Sequence, residues 1–384
     1  MATAQSVAVK HWARIIKRWP VDRVRPEYVS FQKVMRDRLQ KATSPAAAAG
    51  NAKANEAQPV SPPQWDEAQE MRQTQACMAP FAAHLISEWN KHRSSVNNSN
   101  SKKGLIAVSF DQRNHGSRKV SDMANEAWRT GNEHHAPDMF SCYAGTAVDT
   151  SVLLDYLPGY IFPEPSDPRR IVQNLVLGVS LGGHAAWHCV MQDPRISAAI
   201  VTIGCPDYAR LMSDRARLSK RKSWLDGQGS NFFGSADFPP SLVEAVQKYD
   251  PAGLLWSTLK SATGTDRRPY QEHLYDGDQM TAEEKQKLMP LMVRCFGNKR
   301  VLNLAGGSDK LVNYSHSKPF LDWLKKAIGR NGWFEGGGLY LEDIVYPGVG
   351  HDVPPEMVTA MVKFVNDTLQ NEQVVTHAKL GSKI

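Results

Sequence analysis

The sequence predicts an α/β protein: a mostly parallel sheet covered by helices, with a helical cap inserted into it and a small helical module at the N-terminus. Three observations lead there. Beyond residue 103, short apolar runs of strand length alternate with stretches of helical periodicity. From Cys205 to about Pro290 that alternation gives way to helical and irregular pieces rich in Asp, Gly and Pro, the size of insertion that forms a lid. Residues 1–42 hold ten Lys and Arg against three Asp and Glu. That surplus equals the +7 of the whole chain, so everything after residue 42 is formally neutral.

A chain of 384 residues, 41% hydrophobic and 22% charged, can bury a large core, and a disordered or collagen-like class is excluded. Its longest apolar stretches, Leu175–Val179 and Ile196–Gly204, fall far short of the roughly 18 residues of a membrane-spanning helix. Cys77, Cys142, Cys189, Cys205 and Cys295 are odd in number, widely spaced and free of any CxxC pair. They read as reduced intracellular thiols and support neither a disulfide framework nor a zinc cluster. Met1–Val9 is too short and polar for a secretory h-region.

Along the chain, Val9, Trp12, Ile16 and Trp19 fall at helical spacing opposite Arg14, Lys17 and Arg18, which predicts a basic amphipathic helix ended by Pro20. Pro26 suits the first turn of a second helix that buries Tyr28, Phe31, Met35 and Leu39. Residues 42–63 read as a linker, Gln64–Gln75 as a polar helix, and Pro80 as the start of a helix with Phe81, Leu85 and Trp89 on one face. Strands are expected at Leu105–Phe110, Ile171–Leu177, Ile196–Ile203, Arg300–Ala305 and Leu339–Tyr346. Helices are expected at Met139–Tyr156, Gly183–Met191, Lys318–Ile328 and Pro355–Leu369. The resulting division is a basic hairpin (1–42), a linker with a polar helix (43–80), a core (81–204 and 291–384) and a cap (205–290).

The strongest chemical motif is Gly178-Val179-Ser180-Leu181-Gly182, between an expected strand and an expected helix. Glycines there permit a strained turn that exposes the serine oxygen at a helix N-terminus. A serine nucleophile needs a base, and the base an orienting acid. Asp309 follows the strand Arg300–Ala305 in Gly306-Gly307-Ser308-Asp309, and His351 follows the next strand in Gly348-Val349-Gly350-His351. Read singly, Asp309 could be a helix cap and His351 a loop residue; the order Ser, Asp, His is what carries the reading.

From about Phe81 to Leu369 these motifs resemble the α/β-hydrolase family: GVSLGG as nucleophile elbow, GGSDKLV carrying the acid, GVGHDV carrying the histidine. The run Asp111-Gln112-Arg113-Asn114-His115-Gly116-Ser117 resembles the family's D-x-R-x-x-G-x-S loop. The resemblance implies Ser180 as nucleophile, His351 as general base, Asp309 as its orienter, the Leu181 N–H as one oxyanion donor, and a small-molecule ester or other acyl substrate. The chain departs from the family at one place. A strand ending in a His-Gly loop, which supplies the second oxyanion N–H, should precede the Phe81–Trp89 helix, but Pro59–Ala79 is polar and holds no His-Gly. The expected strands on either side of that position must then pair directly or leave a gap.

Lys10–Ala42, above all its Lys17-Arg18-Trp19-Pro20-Val21-Asp22 turn, resembles the small mitochondrial complex III assembly factors that act on cytochrome b. The resemblance implies a mitochondrial location and a protein partner for residues 1–42, with a cytoplasmic protein as the alternative. Two resemblances in one chain imply a fusion or a misjoined gene model. The expected activity is thus a serine hydrolase, and the alternative is an assembly protein whose hydrolase body is inactive.

Weaker signals have plain readings. His184 and His188 share a helix face, yet without an HExxH glutamate they read as packing or surface histidines. Glu133, His134, His135 and Asp138 could gate a pocket or bind a cation and are read as a solvated loop. No metal and no cofactor is expected, since neither a P-loop nor a dinucleotide or zinc-finger pattern occurs. The Trp and Ile stripe beside the N-terminal charges favours a protein or membrane-surface partner over nucleic acid.

Overall fold

The computed structural model describes residues 75–95, 103–257, 259 and 280–370. The hairpin expected over 1–42 and the linker that follows lie outside them, as does the polar helix expected over Gln64–Gln75 apart from Gln75 itself. Among the described residues, 151–172 belong to one compact unit and the others to a second, larger one.

In the larger unit four strands lie in the order β1 (Asn174–Val179), β2 (Ile196–Thr202), β3 (Arg300–Gly306) and β4 (Tyr340–Tyr346), every neighbouring pair parallel. Parallel neighbours need crossovers, and these are helical. Helix α3 (Leu181–Gln192) links β1 to β2, and α8 (Tyr314–Ile328) links β3 to β4. Two helices precede the sheet, α1 (Gln75–Ser95) and α2 (His135–Ile161); residues 135–150 of α2 lie in the larger unit. Between β2 and β3 the chain forms α4 (Tyr208–Leu218), a single turn at Lys222–Leu225, α5 (Pro240–Tyr249), α6 (Pro251–Trp256) and α7 (Ala282–Phe296). Helix α9 (Pro355–Gln370) follows β4.

The strands bury both faces. Ala198, Ile200, Leu302 and Leu304 join Phe81 and Trp89 of α1 and Met357, Met361, Phe364 and Val365 of α9 in one core. Their alternates Ala199, Val201 and Val301 are as deeply buried on the other face, as the two-residue period requires. There Trp187 of α3 meets Phe320 of α8, which also packs on Trp256 and Trp323.

Several boundaries differ from expectation for local reasons. Pro80 lies inside α1 instead of opening it, and within that helix the Gln75 N–H donates to Asp111 Oδ1 at 2.7 Å. Helix α8 starts four residues before Lys318, since the Asn313 side chain caps it by accepting from Ser315 N. Helix α2 starts at His135, ahead of Met139. Helix α7 runs across the expected cap boundary at residue 290.

The larger departure is Leu105–Phe110. This segment is extended and its exposure alternates residue by residue as a strand's does, but it enters no ladder among the described residues. Leu105 is partly buried and packs against the core formed by α1, the sheet and α9, while Ile106 and Val108 are 51% and 44% exposed. Strand β1 is an end strand of the sheet, so it and the segment do not pair. Among the described residues neither has a neighbouring strand on that side, the arrangement that natural sheets ordinarily cover.

Candidate active site

Ser180 sits one residue beyond β1, at φ 55° and ψ −115°, a conformation that a side-chain-bearing residue adopts only when its surroundings hold it there. Three glycines create those surroundings. A Cβ on Gly178 would lie 1.9 Å from the Gly182 carbonyl oxygen, one on Gly183 would lie 2.7 Å from the Thr202 oxygen, and one on Gly204 would lie 2.6 Å from the Gly183 carbonyl carbon. The elbow is therefore wedged between β1, β2 and the start of α3. Ser180 N donates to Thr202 O at 2.9 Å, and Ile203, a β-branched residue at φ 46°, donates its N–H to Leu304 O at 2.7 Å. An L-residue in that region costs about 1–2 kcal/mol, so strain is concentrated in the two turns that flank the serine.

Asp309 and His351 come from the loops after β3 and β4, which puts all three side chains at the carboxyl end of the sheet, where parallel sheets open their clefts. The two loops are zipped together: Gly307 N donates to Tyr346 O and Ser308 N to Val349 O, both at 2.8 Å, and a Cβ on Gly306 would strike Gly350 O at 2.3 Å. Ser180 Oγ lies 2.8 Å from His351 Nε2, and His351 Nδ1 lies 2.7 Å from Asp309 Oδ2. The other carboxylate oxygen, Oδ1, accepts from Leu311 N and Val312 N at 2.8 and 2.9 Å. Asp309 is 1% exposed, so these three donors replace its hydration. With Nδ1–H given to the carboxylate, Nε2 is left to accept from the Ser180 hydroxyl.

Leu181 follows the serine as the first residue of α3, a position whose N–H has no intrahelical acceptor and points out of the helix end. Gly178 and Gly182 act on the turn through the close approach just described.

The loop expected to resemble D-x-R-x-x-G-x-S is a brace. Asp111 Oδ2 accepts from both N and Oγ of Ser117, a Cβ on Gly116 would strike the Asp111 carboxyl group at 2.5 Å, and Arg113 and Arg118 pair with Asp149 of α2. His184 and His188 are buried in an aromatic cluster with Tyr143, and among the described residues their Nε2 atoms have no hydrogen-bond partner. Burial pushes His184 down to about 4 and His188 down to about 3, so both are neutral. The Glu133–Asp138 cluster disperses: Glu133 pairs with Arg221, Asp138 accepts from Asn132, and His135 is buried. No group of three or more His, Cys, Asp or Glu among the described residues is arranged to hold a metal.

Helix α4 and the segment after it pack against residues that flank this site. Tyr208, Leu211, Met212, Phe232, Phe238, Leu242 and Val246 form one cluster that takes in Phe140 and Tyr143 of α2 and Val312 of the acid loop, with Leu181 packed against it. Sequence reasoning did not find Arg215 of α4. Its guanidinium donates to His135 Nε2 at 3.2 Å, Met139 Sδ at 3.1 Å and Leu311 O at 3.1 Å.

Residues 9–78 match the family described as Complex III assembly factor UQCC2/CBP6. No curated protein matches the chain. Among solved structures, SOBER1 of Arabidopsis thaliana is similar at 11% identity over 77% of this chain and 93% of that one, with a TM-score of 0.31. TT1662 from Thermus thermophilus is similar at 14% identity over 78% and 86%, TM-score 0.41. A monoacylglycerol lipase of Paleococcus ferrophilus is similar at 10% identity over 78% and 91%, TM-score 0.36. Each TM-score lies below 0.5, and the fold reading rests on the parallel sheet and the elbow themselves.

Proposed function

We propose that the protein is a serine hydrolase acting on an ester or related acyl substrate, with 81–204 and 291–384 as its core and 205–290 as a cap. The observation that carries the reading is the unbroken hydrogen-bonded series from Ser180 Oγ through His351 to the buried Asp309, mounted on a strained elbow. In this reading Ser180 Oγ attacks the acyl carbon as its proton passes to His351 Nε2. Asp309 holds the ring by Nδ1–H and stabilises the imidazolium. The Leu181 N–H bonds the developing oxyanion. His351 then gives its proton to the leaving oxygen or nitrogen, and the acyl-serine is hydrolysed by water that His351 deprotonates. No cofactor or metal takes part in this reading.

Pro59–Ala79 holds no His-Gly loop that would supply a second oxyanion donor, and loss of one such donor typically lowers turnover by about 10²–10³. The expected enzyme is therefore slow, and activated esters are its best substrates. Hydrolysis of a p-nitrophenyl ester by the full chain, and its loss in Ser180→Ala, is the direct assay. A rate in the wild type no greater than that of Ser180→Ala would contradict the proposal.

The match of residues 9–78 favours a second reading, in which the chain serves complex III assembly in mitochondria through its basic N-terminus and its hydrolase body is inactive. The assembly partner would engage residues 1–42, whose positive charge the rest of the chain does not share. No helix of the described residues is long and apolar enough to cross a membrane. Residues 1–78 fused to a fluorescent reporter should reach mitochondria, and a reporter confined to the cytosol would contradict this reading.

A further inference from the structure

The geometry points to Arg215 as a positioning residue that ties helix α4 to the catalytic acid, so that the orientation of His351 depends on α4 being seated. This rests on the serine-hydrolase reading for its chemistry, but not for its geometry.

Arg215 spans three elements. One amino group, Nη1, reaches His135 Nε2 and Met139 Sδ on α2; the other, Nη2, reaches the Leu311 carbonyl in the acid loop. His135 is buried, and its Nδ1 lies 2.9 Å from the Glu126 carbonyl. A carbonyl only accepts, so Nδ1 carries the proton and Nε2 is the lone-pair nitrogen that receives the Arg215 N–H. Burial, reinforced by Arg215, pushes His135 down to about 4, which keeps it in that neutral tautomer.

On the far side, Leu311 links the guanidinium to the acid. Its carbonyl accepts from Arg215 Nη2 while its N–H donates to Asp309 Oδ1. The hydrogen bonds therefore run without interruption from Glu126 O through His135, Arg215, Leu311, Asp309 and His351 to Ser180 Oγ. Among the described residues no carboxylate stands within ion-pair reach of Arg215, and its Nε is buried without a partner. A guanidinium used only for stability is ordinarily paired with a carboxylate; this one holds neutral acceptors on two elements at once, a task suited to its planar fork and not to an ammonium.

The test uses the full chain and two substitutions, Arg215→Lys, which keeps charge but not the fork, and Arg215→Gln, which keeps neither. The first readout is the low-field proton NMR signal of His351 Nδ1–H, identified by its loss in Asp309→Asn. It should be present in the wild type and move upfield or broaden in both Arg215 variants, whose circular dichroism stays native. The second is the rate of fluorophosphonate labelling of Ser180, expected to fall about tenfold in Arg215→Lys and further in Arg215→Gln. An unchanged low-field signal in both folded variants overturns the proposal, as does a wild-type labelling rate in Arg215→Lys. A wild type that shows the signal but takes no label contradicts the hydrolase reading instead, and the NMR comparison still decides the role of Arg215.

Discussion

A Cβ on Gly178 would stand 1.9 Å from the carbonyl oxygen of Gly182, closer than any adjustment of side chains can relieve, because the obstacle is backbone. The turn that presents Ser180 exists only while position 178 is glycine. Gly178→Ala should cost at least about 2 kcal/mol of stability and abolish serine reactivity together. Gly336, with nothing within 4 Å of an added Cβ, is the control, and Gly336→Ala should melt within a few degrees of the wild type.

Asp309 lies in a nearly closed site, its carboxyl oxygens held by two N–H groups and by His351. Asp309→Asn preserves the shape but presents an amide where His351 needs an acceptor, which favours the wrong ring tautomer. Ester hydrolysis should fall by about 10³–10⁴ with little change in KM. Steady-state kinetics on the folded variant would count against the assignment if kcat fell less than tenfold.

The three buried histidines set an acid limit on the fold. His135 and His184 are pushed down to about 4 and His188 to about 3, chiefly by burial, whereas each titrates near 6.5 in the unfolded chain. Between those values the unfolded state binds the extra protons, so stability is intact above pH 6.5 and falls as the pH drops toward 4. Each group can remove on the order of 3 kcal/mol across that window. His188→Leu, close in volume and without a titrating ring, should flatten this fall, read as urea midpoints at pH 7 and pH 5. An equally steep loss in the variant would exclude His188 as a contributor.

Among the described residues the edge of β1 and the segment Leu105–Phe110 carry no neighbouring strand, which should make the protein prone to self-association. Ile106 and Val108 point outward, so the double substitution to Lys should raise the monomer fraction in light scattering and shift stability by no more than about 0.5 kcal/mol. Unchanged association would mean that this edge is not where the chains meet.

Much of this was legible in the sequence because it is locally encoded. The runs at 196–202, 300–306 and 340–346 are strand-length and apolar, and the turns after 179, 306 and 346 announce themselves by glycine. Leu105–Phe110 has the pattern of a strand as well, but a ladder belongs to two strands, and pattern in one cannot supply the other. Long-range contacts and disguised caps escaped: Asp111 holds the Gln75 N–H of α1 from 36 residues away, and Asn313 caps α8 ahead of the Lys318 expected to start it. Arg215 was invisible for the same reason, since its partner Leu311 is 96 residues away and nothing in the local sequence marks either.

The central claim is that Ser180 is a nucleophile activated by His351 and Asp309. Labelling of the purified, folded full chain with a fluorophosphonate probe, followed by mass spectrometry of the modified peptide, tests it most directly. The account predicts one adduct, on Ser180, lost in Ser180→Ala and strongly slowed in His351→Gln. A folded wild type that takes no label, or that is labelled equally in Ser180→Ala, would contradict it.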